Sequence, residues 1–437
     1  MTHDLELIDA LDRLTVIDST DRGVSRRQLL GRGLGLAGAL TAAGVLNPFE
    51  RLAAFGATAP RAVTQPARLL LLIQLAGGCD GLNTLVPMTG TYGNLYRQYR
   101  GPVAVTNPIA LADPKTKAAT GMGLHPNLTY TASQWAAGKV AIAQGIGYPN
   151  PSLSHFDGIA TWMKGSAVAG TATTGWIGRW LDTLAAPSPF QVVQVSQSVP
   201  LHMIGAKRRG VCVGHNESGF GTSTDASDQL MYTSLGGFSS APSSLGAYGD
   251  LVAGATATAM QLNKKIKPLY GAPSALPQPE LEHRTRLAAR LFNANFGVQV
   301  VSTMHSDFDE HDDENSRHPT LMADIDAALS GFFRELDPVL APVTTVMFFT
   351  EFGRKPWANA SGGTDHGTAN MLMMMGAKVK GGLYGAPADI SNLQAWQDPT
   401  ATGDFRSVYQ NVLTNVLATN AAAILGGTYP ALNMVSA

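Results

Sequence analysis

The chain has 437 residues, 45% of them hydrophobic and only 14% charged. That is enough apolar material for one large or two ordinary domains with a full core, and too much for a disordered or fibrous protein. Its 31 basic and 32 acidic side chains balance, and setting aside residues 1–59, which carry 6 of the basic and 7 of the acidic ones, leaves the balance intact. Such a charge draws neither nucleic acid nor an anionic membrane, and no nucleic-acid partner is expected.

The first 59 residues read as an address. Ser25-Arg26-Arg27-Gln28-Leu29-Leu30 is similar to the twin-arginine export motif, a Gly/Ala/Leu stretch follows from Leu34 to Leu46, and Ala57-Thr58-Ala59 offers a small-x-small cleavage site. An uncleaved anchor is the alternative, but the apolar run falls short of the ~18 residues of a membrane span and is rich in glycine. The expected organisation is therefore a signal over 1–59 and one domain over 60–437. The twin-arginine translocase would be the partner during export, the destination periplasmic or extracellular, and the mature chain without a membrane span. Only Cys79 and Cys212 are present, expected as two isolated buried thiols, although an oxidising compartment would permit one disulfide.

Apolar runs bounded by glycine or proline then recur as candidate buried strands: Leu69 to Leu75, Val140 to Ile146, Val192 to Val195, Val298 to Met304, Val343 to Thr350 and Met371 to Met375. Methionine favours helix as readily as strand, so the last is ambiguous, and it reads as core rather than a metal box. Leu321, Ile325, Leu329, Phe332 and Leu336, spaced by three or four, mark a helix between two of the runs. The alternation predicts an α/β three-layer sandwich with a mostly parallel central sheet. One segment breaks it: Glu217 to Gly249 is rich in Ser, Gly and Thr and reads as a long surface insertion.

Polar groups gather where several of these strands end, the edge at which open α/β sheets place their sites. Gly77-Gly78-Cys79-Asp80-Gly81-Leu82-Asn83 follows the first strand and presents Asp80, though the same sequence suits an ordinary turn. It is not a G-x-G-x-x-G fingerprint, so a dinucleotide cofactor is not expected. In Asn150-Pro151-Ser152-Leu153-Ser154-His155-Phe156-Asp157 a helix begins, with Ser154 either its N-cap or a nucleophile at an oxyanion-binding terminus. In Asp307-Phe308-Asp309-Glu310-His311, an extended backbone puts Asp309 and His311 on one side, whereas a helix would pair Asp307 with His311. Glu351-Phe352-Gly353-Arg354 and Gly363-Thr364-Asp365-His366-Gly367 complete the set, with Arg354 placed either to bind an oxyanion or to neutralise Glu351.

GG-x-DGLN, Leu124-His125-Pro126, Ser154-His155-Phe156, F-D-x-H, EFGR, GTDHG, Gly381-Gly382-Leu383-Tyr384-Gly385 and Asp404-Phe405-Arg406-Ser407-Val408-Tyr409 occur in this order. The combination resembles the DUF1501 family of exported proteins over about residues 68 to 430. That family's members are similar in fold to the alkaline phosphatase and sulfatase superfamily, which implies an alkaline phosphatase-like domain. It also implies one or two divalent metal ions at the sheet edge, with Asp80, Asp309, His311, Glu351 and His366 as ligands and Asp365 either a further ligand or a group orienting His366. Ser154 would be the nucleophile and Arg354 an oxyanion contact. An oxygen-rich ligand set leans toward Mg2+, Mn2+ or Ca2+, and two histidines keep Zn2+ open. The resemblance thus implies an exported metal-dependent hydrolase of phosphate or sulfate esters acting on a small-molecule or polymer substrate, or else a non-catalytic periplasmic or surface binding protein on the same fold. The chain departs from the superfamily where Phe352 follows Glu351, since Asp-His is usual there and one imidazole ligand would be missing. Cys79 lacks the following sequence of a sulfatase formylglycine precursor.

Overall fold

The computed structural model describes residues 68–167, 172–214, 225–238, 253–254, 256–257, 259–260, 263–270 and 279–436. The export motif, its apolar stretch and cleavage site, the boundary at 59, and most of Glu217 to Gly249 lie outside them. Within that last segment Ala226–Phe238 is a helix, so the insertion carries regular structure of its own.

In chain order the strands are β1 (Leu69–Leu75), β2 (Leu85–Pro87), β3 (Ile109–Ala112), β4 (Ala119–Leu124), β5 (Val140–Gly147), β6 (Val192–Val195), β7 (Val211–Val213), β8 (Val300–His305), β9 (Thr344–Phe349), β10 (Gly353–Ala358), β11 (Thr364–Gly367), β12 (Asn370–Gly376), β13 (Gly382–Tyr384) and β14 (Gly403–Asp404). The main sheet runs β13-β5-β12-β9-β1-β8-β6-β7, with β14 also on β5. Only β12 opposes its neighbours β5 and β9; the other pairings of this sheet are parallel. The chain is thus an α/β protein with a large, mostly parallel central sheet.

Why β1 sits in the middle follows from its sequence. LLLLIQL is apolar at nearly every position and buried throughout, the pattern of a strand covered on both faces. Alternate residues serve opposite cores. Leu69, Leu71, Ile73 and Leu75 join Trp135, Leu291, Phe292, Ile325, Leu329 and Phe332, contributed by helices Thr129–Ala136, Glu280–Asn293 and Glu314–Glu335. Leu70 and Leu72 join Trp176, Trp180, Val408, Tyr409 and Ile424 on the other side, from helices Trp176–Thr183, Phe405–Asn415 and Ala421–Leu425. The result is three layers, helix on sheet on helix.

The methionine-rich run is a strand because both its neighbours require one: Met373 pairs with Ile142 on β5, and Met374 with Met347 on β9. Two smaller sheets flank the main one, β2-β4-β3 and the antiparallel ribbon β10-β11. Because β1, β5, β8 and β9 run the same way, their C-terminal ends share one edge, and antiparallel β12 begins there.

The aromatic contact between Phe292 and Phe332, 6.2 Å between ring centroids, joins the two longest helices of one layer, and Phe332 is fully buried. Phe332→Ala is expected to lower the unfolding free energy by about 3–5 kcal/mol, read from urea titration. A loss below about 1 kcal/mol would mean that this face is not close-packed.

Candidate functional site

Each strand exit at the shared edge turns through backbone that its residues dictate. After β1, Gly77 and Gly78 take φ of +120° and +80°, and a Cβ on either would meet Asp309 N at 2.4 Å or the Phe352 ring at 2.3 Å. The glycines are needed both for the turn and for the close approach of three loops. After β5 the chain reaches helix His155–Lys164, with Ser154 at its N-cap. After β8, residues 306–310 have no regular structure. After β9, Thr350-Glu351-Phe352 lead into the ribbon, where Arg354 lies opposite His366.

Four side chains from two of these exits and the ribbon meet. Ligand atoms of His155, Asp309 and His366 all lie within 4.8 Å of one another. His366 Nε2 is 3.0 Å from Asp309 Oδ1 and 2.9 Å from His311 Nε2. His311 Nε2 is 3.1 Å from the same carboxylate oxygen, and His155 Nε2 is 3.3 Å from Asp309 Oδ2. Phe352, 1% exposed, lies beside this group with its ring centroid 4.4 Å from that of His366 and 4.9 Å from that of His155.

The other ring nitrogens decide what the cluster can do. His366 Nδ1 faces the Leu153 carbonyl at 2.8 Å, His155 Nδ1 faces Glu351 Oε1 at 3.0 Å, and His311 Nδ1 faces Asp365 Oδ1 at 3.1 Å. Each of these oxygens can accept from a protonated Nδ1, and in that tautomer the Nε2 atoms are the ones left to face Asp309. In the neutral rings each Nε2 then presents a lone pair, and all three lone pairs point at a carboxylate. Three Nε2 atoms and a carboxylate then form a set that fits a cation, while Arg354 donates to the same carboxylate at 2.8 Å. The same carboxylates and carbonyl fix the tautomer and orientation of the rings.

Ionisation agrees. Burial pushes the Asp309 carboxyl up, but the bond from Arg354, the contact with His366, the Arg354 charge and the neighbouring His311 outweigh it and hold its pKa at about 2. Burial lowers the His366 pKa, with its bonds to Asp309 and Leu153 opposing, which favours the neutral ring with a free lone pair. The Asn359 side-chain amide, 3.1 Å from Asp365 Oδ1, is the first cause of that carboxyl's lowered pKa, and against burial His311 lowers it further.

The expected residues therefore divide. Asp309, His311 and His366 meet as ligand candidates; Asp307 does not join them, its side chain turning to Ser306, because the segment is not helical. Glu351 and Asp365 stand behind rings. Glu351 accepts from Gly77 N and from His155, and Asp365 orients His311 rather than His366. Asp80 is elsewhere: it caps helix Gly81–Thr84 and is paired with Arg100. Arg354 neither neutralises Glu351 nor faces an open oxyanion site. It is buried, donating to the carbonyls of Gly77, Gly78, Phe308 and Thr364 and to Asp309. Ser154 is exposed, and its side chain makes no capping hydrogen bond. Cys79 is buried, whereas Cys212 is exposed, and both are free.

His155 is the residue that the sequence reading missed. Its signal was present, a histidine in the first turn of a helix opening at the sheet edge, but Ser154 beside it drew the functional assignment.

The sequence matches the family of proteins of unknown function DUF1501 over residues 136–430. A site at the C-terminal edge of an α/β sheet, built from histidines and an aspartate, is the class that the structure defines. The chain belongs to the DUF1501 family. No curated protein matches it. Among solved structures, a 2-O GAG sulfatase matches at 11% identity with a TM-score of 0.23, over 83% of this chain and 72% of that one. A candidate sulfatase from Bacteroides thetaiotaomicron matches at 11% identity with a TM-score of 0.24, over 85% and 74%. Likeness at this level assigns no activity.

Gly77→Ala tests the packing of the three loops. With a positive φ and a contact of 2.4 Å to the backbone of Asp309, it is expected to cost about 1–3 kcal/mol of stability in denaturant titration. An unchanged midpoint would show that the exits of β1 and β8 do not touch.

Proposed function

We propose that the chain is an exported, metal-dependent hydrolase of phosphate or sulfate esters. The observation that carries this reading is the convergence of three imidazole Nε2 atoms on the Asp309 carboxylate, with each Nδ1 turned to an oxygen of Leu153, Glu351 or Asp365. Three imidazoles and one carboxylate suit a borderline divalent ion, Zn2+ before Mg2+ or Ca2+. This differs from the oxygen-rich set expected from sequence because His155 adds an imidazole while Glu351, Asp365 and Asp80 are engaged elsewhere.

A bound ion of this kind supplies positive charge that neutralises an ester's outer oxygens and favours deprotonation of an attacking hydroxyl. The rest is the work of the chain. Ser154 offers an exposed hydroxyl immediately before His155, free of the capping bond that would otherwise occupy it. The first turn of the ten-residue helix His155–Lys164 directs backbone N–H groups and the positive end of its dipole toward the same position, favourable to an oxyanion. Glu351 holds the His155 ring through Nδ1, and the Phe352 ring covers one side of the imidazoles against water. Among the described residues no helix is long and apolar enough to cross a membrane, in keeping with a released protein.

Purified protein is expected to contain a stoichiometric divalent metal by elemental analysis, and His155→Ala and His366→Ala to lose it while remaining folded. Normally folded, metal-free wild type would end the hydrolase reading. With metal present, a screen of aryl phosphates, phosphodiesters and aryl sulfates should find a substrate on which Ser154→Ala lowers kcat by about 10²-fold or more. Equal rates would remove Ser154 as nucleophile. Glu351→Gln is expected to weaken metal affinity about 10–100-fold in chelator competition, through the loosened His155 ring; unchanged affinity would deny Glu351 that part.

A further inference from the structure

We propose that Arg100 takes the place of a second cation at this sheet edge, so that the centre of His155, Asp309, His311 and His366 holds a single ion. This rests on the metal reading above and narrows it. The resemblance allowed two ions and made Asp80 a ligand, but the residues around Asp80 do not fit an ion.

Asp80 and Arg100 are both 0% exposed. The guanidinium engages both carboxylate oxygens, with Nη2 2.9 Å from Oδ1 and Nη1 against Oδ2. Oδ1 also accepts from Leu82 N at 2.9 Å and Asn83 N at 3.0 Å, and Oδ2 faces the Thr364 hydroxyl at 3.3 Å. A carboxylate offers about four acceptor positions, and five donors already surround this one. Nothing remains for a metal.

The neighbouring acids also have partners, although Glu310 Oε1 has none. Glu314 accepts from Asn83 Nδ2 at 2.6 Å, lies 2.9 Å from Thr364 Oγ1, and has Arg100 Nη1 3.8 Å from Oε1. Burial, with the charge of Asp80 next, raises its carboxyl pKa to about 8, so it adds no net negative charge at neutral pH. Glu310 Oε2 is 2.8 Å from His318 Nδ1. Burial lowers the His318 pKa, but Glu310 outweighs it and raises the value overall. The pocket therefore holds two opposed pairs, Asp80 with Arg100 and Glu310 with His318, and a third acid, Glu314, that Arg100, Asn83 and Thr364 surround. Arg100 ends helix Gly90–Arg100, where the helix dipole also favours a cation. A guanidinium is a permanent, planar cation that matches a carboxylate in two places, so it supplies the charge without an ion.

The test is the number of ions per chain, measured by elemental analysis and by Zn2+ titration of chelator-stripped full-length protein. Wild type is expected to plateau at one equivalent. Asp80→Asn, and the paired change Asp80→Asn with Arg100→Met that removes both charges together and spares the fold an unpaired buried ion, are expected to keep that one equivalent with affinity within about threefold. His366→Ala should abolish it. Two equivalents in wild type, or one equivalent lost from Asp80→Asn, would overturn the single-ion proposal and leave the metal reading standing. No equivalent in wild type would remove both.

Discussion

One buried guanidinium holds the site edge together. Arg354 leaves β9 at the start of the ribbon and turns its side chain inward, to the carbonyls of Gly77 and Gly78 from β1's exit, Phe308 from β8's exit and Thr364 from β11, and to the carboxylate of Asp309. A charge at 2% exposure is tolerable only if it is paired and its donors are met. Those demands fix four chain segments at once. Parallel strands deliver their ends to one edge but leave the following loops free to diverge, and the guanidinium closes that freedom. It also holds Asp309 ionised, the form in which a carboxylate can share a cation with imidazoles.

Around that tie the edge separates into two electrostatic systems. On one side Asp80, Arg100, Glu314, Glu310 and His318 are internally balanced and almost completely excluded from solvent. On the other, Asp309 with 45% of its side chain exposed and His311 with 43% remain open. Thr364 belongs to both, its hydroxyl bonded toward Asp80 and Glu314 and its carbonyl to Arg354. Alternation along the chain does the rest: Glu310 points into the closed system, while Asp309 and His311 on either side of it point into the open one. The closed half positions the open half.

Much of this was legible in the sequence, and the pattern of success is physical. Buried parallel strands advertise themselves as continuous apolar runs, so β1 and β6 were found residue for residue, and β5, β8 and β9 within a residue or two. The choice of Asp309 over Asp307 rested on the family resemblance, since the residues alone left both open, and the segment proves not to be helical. The ribbon β10-β11 and the small sheet β2-β4-β3 went unread, since strands such as GRKPWA and TDHG carry little apolar signal. Partner choice was also invisible. Nothing local to Asp80 tells that a guanidinium twenty residues later will saturate it, and nothing local to Arg354 tells that its acceptors are carbonyls from distant loops. A residue type shows which chemistry is available; only the fold shows which of its lone pairs are already used.

Phe352 is where the two kinds of information conflict most. From sequence it stands where an imidazole is expected and counts against the site. In the structure its ring packs against His155 and His366, and a Cβ at Gly78 would strike it at 2.3 Å while one at Gly158 would lie close, at 3.2 Å. The imidazole absent after β9 is matched by His155, arriving from β5's exit and held by Glu351, the residue beside Phe352. A carboxylate that would have been a ligand next to a histidine has become the group that aims a histidine. The aromatic ring then serves as a wall that a ligand in its position could not provide. Donor number is therefore set by what converges in space, and an unexpected residue at one strand end is compensated from another.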